Sequence, residues 1–71
     1  MRNVKIFSTD IENTTQVHNI SSAICSLFPQ SMVTVDLEDC DRVLRVEGDI
    51  PSNAYIIDLL SKFGIRCEVL K

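Results

Sequence analysis

Along these 71 residues the apolar side chains change their period repeatedly. They recur every second residue in 4–11, 32–37, 43–47 and 65–69, and every third or fourth in 13–28 and 54–63. A period of two fits a strand with one buried face, and a period near 3.6 fits a helix with one buried stripe. The order is therefore strand, helix, strand, strand, helix, strand, which few folds accept. The link between the second and third strands is too short for a parallel crossover, so they form a hairpin. Two helices can then cover one face of a four-stranded antiparallel sheet. The expectation is an α+β, ferredoxin-like βαββαβ sandwich, built as a single domain over residues 1–71.

Punctuation supports the boundaries. Pro29 stops the first helix, because the residue before a proline avoids helical geometry. Its stripe is Val17, Ile20, Ile24, Leu27 and Phe28. Gly48, Asp49, Ile50, Pro51 and Ser52 form a break, with Ser52 placed to cap the second helix. That helix carries Ile56, Ile57, Leu59, Leu60 and Phe63, and Gly64 ends it in a left-handed conformation. In the first strand Lys5, Phe7, Thr9 and Ile11 share one face, with Val4, Ile6 and Ser8 on the other. Both faces carry apolar residues, so alternation alone leaves the inward one open. Later strands are clearer: Val33, Val35, Leu37, Leu44, Val46 and Cys67 point inward.

A net charge of −3 without a basic block disfavours nucleic acid and anionic membranes as partners. The central strands are read as lacking the stacking aromatics that RNA recognition by this topology needs. No apolar run approaches the roughly 18 residues of a membrane span, and residues 1–6 do not read as a signal peptide. Cytoplasm is the default location. Cys25, Cys40 and Cys67 are odd in number and far apart, which suits reduced thiols. Cys25 and Cys67 read as packing residues, and Cys40 as exposed in an acidic turn with Asp36, Glu38, Asp39 and Asp41. No nucleophile–base pair, glycine-rich phosphate loop or calcium-loop spacing is present, so an enzyme is not expected.

Several segments together resemble the heavy-metal-associated (HMA) domain of copper chaperones and metal-transport ATPases. Phe7, Thr9 and Ile11 match that family's inward strand residues, and Val17, Ile20 and Ala23-Ile24 its helix core. Val35-Asp36-Leu37, Leu44-Arg45-Val46-Glu47-Gly48-Asp49 and Phe63-Gly64-Ile65 are similar to its later strands and turns. The resemblance implies the same fold and places a Cys-x-x-Cys metal motif at Asn13 and Gln16. Both cysteines are missing. Neutral amide oxygens lack the softness and charge that Cu(I) selects. The same spacing suits a capping box: Asn13 at the N-cap, Gln16 three residues on, reaching back to the cap N–H.

A degenerate, non-catalytic module without metal or cofactor is therefore expected, working through protein contacts or self-association. Val4 and Ile6, beside Met32, Thr34 and Val43 on an uncovered sheet face, offer an apolar patch. The alternative keeps weak copper or zinc binding, or a metallochaperone role, through His18, Cys40, the 10–16 loop or cysteines shared across a dimer, with Glu12 near His18. That loop can also meet a small anion, which Asp10 and Glu12 oppose. An amino-acid-binding regulatory domain of this topology ranks last, because the first strand–helix turn has no glycine.

Overall fold

A computed structural model describes residues 3–70. Met1, Arg2 and Lys71, the ends of the expected 1–71 domain and part of the 1–6 stretch, lie outside the described residues. The elements are β1 (Asn3–Thr9), α1 (Thr14–Leu27), β2 (Met32–Asp36), β3 (Val43–Gly48), α2 (Asn53–Lys62) and β4 (Cys67–Val69). All sheet neighbours are antiparallel, in the order β2-β3-β1-β4. This is the ferredoxin-like α+β arrangement. Helix α1 lies on β2, α2 lies on β4, and the two helices touch.

One core joins these layers. Phe7, Leu44, Val46 and Cys67 from the sheet meet Ile20 and Ile24 of α1 and Ile56 and Leu60 of α2. Burial therefore selects the odd-numbered face of β1, the choice alternation had left open. Val17, Phe28, Val33, Val35, Leu37, Ile57 and Leu59 pack around the rim. At one end of the helices the Phe28 ring meets Tyr55 edge-on, with centroids 6.1 Å apart. Two residues expected in the helix stripes lie outside it: Leu27 and Phe63 are exposed at the last turn and the C-cap. Ile50, inside the expected break, is instead buried in the core.

The strands are shorter than the alternation suggests. Ile11 and Ile65 stay buried but leave the ladder. Beyond Thr9 the chain exchanges two bonds with the approach to β4 instead. The Asp10 N–H donates to the Arg66 carbonyl at 3.3 Å, and the Arg66 N–H to Asp10 Oδ1 at 2.8 Å. The backbone polar groups thus stay paired while the strand ends.

Caps decide the helix ends. Asn13 has an extended backbone and accepts from the Gln16 N–H, as expected. Ser52 holds the equivalent place before α2 but makes no side-chain cap bond; its carbonyl receives the Tyr55 N–H at 3.3 Å. At the other end of α2, Gly64 sits at φ +73. Its N–H reaches the Ser61 carbonyl and that of Ile65 reaches the Leu60 carbonyl, both at 3.0 Å. This crossed pair is a Schellman motif, which needs a left-handed residue at the glycine position. Gly48 serves a different end. At φ +153 it closes β3, and a Cβ there would stand 3.1 Å from Ser31 Cα and Cβ. The backbone of β3 and the α1–β2 link approach each other only because no side chain intervenes.

Candidate functional site

The strand–helix turn at residues 10–16 is where the expected heavy-metal-associated pattern would place a metal. Asn13 Oδ1 accepts the Gln16 N–H at 2.9 Å. Gln16 Oε1 accepts the Glu12 N–H at 2.6 Å. The second bond corrects the expectation from spacing: Gln16 reaches past the N-cap to the residue before it. Both amide oxygens are thus engaged with backbone donors, and each bond contributes on the order of 1 kcal/mol. A cation here would have to displace them, and would meet two neutral oxygens in return.

A second layer holds the turn from the side. The Thr9 hydroxyl donates to the Arg42 carbonyl at 2.6 Å and accepts the Ile11 N–H at 3.3 Å. The Thr9 N–H donates to the Asp41 carbonyl at 2.9 Å. Arg42 returns the contact: its Nη1 donates to the Ile11 carbonyl at 2.7 Å. Arg42 itself has φ +46, a left-handed conformation uncommon outside glycine and asparagine. The β2–β3 link is therefore clamped to the turn before α1. Residue spacing gave no sign of this clamp, since Thr9 and Arg42 are 33 positions apart.

The clamp brings Cys40 next to the turn. Thr9, Asp10, Glu12, Cys40 and Arg42 line one shallow depression. His18 is exposed on α1 and does not line it, nor do Asn13 and Gln16. Among the described residues, Asp39, Cys40 and Asp41 place one ligand atom each within 4.8 Å of one another. These acids have a structural job. Asp36 Oδ1 accepts the Glu38 N–H at 3.0 Å and Asp39 Oδ1 the Asp41 N–H at 2.9 Å. Short acidic side chains commonly build turns this way. Cys40 and Asp41 are exposed and Asp39 is half-buried, and the Arg42 cation shares the depression with Cys40.

The other cysteines are placed as expected. Cys25 is half-buried, its thiol 3.9 Å from the Ser31 carbonyl. Cys67 is in the core, and burial, with a smaller contribution from Glu68, pushes its thiol up to about 12 from 9.0. A thiol held protonated in this way is a poor nucleophile and a poor metal ligand.

The uncovered face of the sheet is the other candidate. Val4 (44% exposed), Ile6 (38%) and Met32 (57%) lie on it, as expected, with Thr34. Val43 shares the face but is half-buried. Leu70 (37%) joins them; its N–H donates to the Ile6 carbonyl at 3.0 Å, so the β1–β4 ladder continues one residue past β4. The alternation of Glu68 and Leu70 after Cys67 carried that signal. Arg45 stands between Ile6 and Thr34, paired with both across the sheet. Central strand β1 does carry an aromatic, contrary to expectation, but Phe7 points into the core. No aromatic residue stands on the uncovered face among the described residues.

Fold and site together define a small ferredoxin-like α+β domain whose first strand–helix turn is closed by amide caps. No family model matches the chain, and neither a curated protein nor a solved structure matches it. Among the described residues, no helix is long and apolar enough to cross a membrane.

Proposed function

We propose that this chain is a small non-catalytic module of the heavy-metal-associated type that lacks the family's metal site and works through protein contacts on its uncovered sheet face. The observation that carries this reading is the exposure of Val4, Ile6, Met32 and Leu70 on one face. Val4, Ile6 and Leu70 adjoin across β1 and β4, while Glu47 and Arg45 separate them from Met32 and Thr34. A small domain has few apolar residues to spare from its core, and such an exposed set marks a contact surface. The occupied oxygens of Asn13 and Gln16 support the loss of metal handling.

The test is a paired substitution. Val4→Lys with Ile6→Lys changes only the uncovered face, whereas Ser22→Lys changes the exposed side of α1. Tagged proteins are compared for capture of partners from an extract of the native cells. Partners lost with the first variant and kept with the second support the reading. Equal capture by both contradicts it.

A further inference from the structure

The sheet has two edges, and they differ. β4 is three residues long with Glu68 at its centre. Shortness and charge are the usual means of blunting an edge. β2 has neither. It runs for five residues, Met-Val-Thr-Val-Asp, without proline, lysine or arginine. Its register against β3 is continuous from Met32↔Glu47 to Asp36↔Val43, so no bulge turns it away. No backbone hydrogen bond links its outer side to another described segment. Val33 and Val35 on the helix side of this strand are only half-buried, and Thr34 and Met32 on the other side are exposed. A regular strand rich in β-branched residues with an unpaired outer side is a template for another strand.

The sequence of β2 favours one occupant. Val33-Thr34-Val35 reads the same in both directions. An antiparallel pairing with a second copy, centred on Thr34, sets Thr34 against Thr34 and Val33 against Val35. Side chains of like parity then meet, so the helix-covered faces fall on the same side and each valine rim extends the other's core. Met32 lies opposite Asp36 in this register. The two Asp36 carboxylates are then separated by about four residues of strand, roughly 13 Å, beyond the Debye length of about 8 Å at physiological salt. A two-fold axis through Thr34 generates a closed, isologous contact rather than a filament. We infer that β2 is a self-association edge, joining two copies into one eight-stranded sheet. The paired surface is small, below the roughly 1,200 Å² of stable complexes, so the dimer is weak and exchanging, with a dissociation constant of micromolar order or above.

This inference is separate from the uncovered-face reading, and the test distinguishes them. Sedimentation of the full chain is followed from about 10 μM to 1 mM, a range chosen to bracket a weak dimer. The expected result is a monomer–dimer equilibrium. Thr34→Glu puts like charges directly opposite in the dimer, but faces Arg45 within each monomer. It is expected to leave the folded spectrum unchanged and weaken the dimer at least about tenfold. Thr34→Lys also sets like charges opposite in the dimer but faces Arg45 unfavourably within each monomer, so its folded spectrum is checked first; mixing the two variants restores dimer. A strict monomer throughout the range overturns the proposal. So does a dimer that Thr34→Glu leaves intact while Val4→Lys with Ile6→Lys dissolves it, which would assign self-association to the uncovered face instead.

Discussion

The Thr9 hydroxyl and the Arg42 carbonyl stand 2.6 Å apart, and this bond ties the end of β1 to the left-handed residue that closes the β2–β3 link. Thr9 also holds the Ile11 N–H, while Arg42 holds the Ile11 carbonyl. Thr9→Val keeps the shape of the side chain and removes its oxygen. Two backbone groups then lose a partner in a largely buried place, which costs about 1–3 kcal/mol. Chemical denaturation is expected to show that loss, with Thr9→Ser much closer to the parent. Equal stability of Thr9→Val and the parent would show that the clamp contributes nothing.

Removing the helix cap should also be measurable. Asn13→Ala is expected to cost about 1 kcal/mol, the usual range for an N-cap being roughly 0.5–2. Gln16→Ala frees the Glu12 N–H to water at the surface and costs less. Both bonds close the same turn, so the double variant is expected to be less destabilised than the sum. A double-mutant cycle by urea unfolding reads that coupling.

Two glycines separate two kinds of backbone demand. Gly64→Ala meets open space but must hold φ +73, so it should cost about 1 kcal/mol. Gly64→Asn should recover part of that, because asparagine tolerates the left-handed region. Gly48→Ala meets Ser31 at 3.1 Å as well as an unfavourable φ, and should cost more, about 1–3 kcal/mol. Thermal melts of the three variants give the order.

Cys67 predicts an alkaline limit. Its thiol ionises at about 12 in the folded chain and near 9.0 when exposed on unfolding. Between those values the unfolded state binds fewer protons than the folded state, so stability falls as pH rises. Below pH 9 this contribution is fully present, and it is lost progressively towards pH 12. Cys67→Ala should flatten the decline, at the cost of a small cavity. At pH 8 a thiol reagent should label exposed Cys40 quickly and buried Cys67 only on unfolding.

Much of this architecture was legible because each element announces itself locally. The alternation in 32–37 and 43–47, the stop at Pro29 and the cap at Asn13 each depend on neighbours in sequence. The inward residues Leu44, Val46 and Cys67 followed from the same alternation. What was hidden depends on distance along the chain. The Thr9–Arg42 clamp joins residues 33 positions apart, and a left-handed arginine carries no mark in its residue type. Ile50 lies in an irregular segment, where no period betrays burial. Leu27 and Phe63 show the converse: helical spacing placed them in the stripes, but the last turns run past the core. Gln16 was right in role and one residue wrong in partner, because a flexible side chain can satisfy either of two adjacent N–H groups.

The central claim is that the turn at residues 10–16 is a closed helix cap rather than a metal site. The most direct measurement follows amide resonances of the reduced protein while Cu(I), and separately Zn²⁺, is added to one equivalent. A closed cap predicts no change at Glu12, Asn13 or Gln16. Shifts centred on those residues and saturating at one equivalent would contradict it.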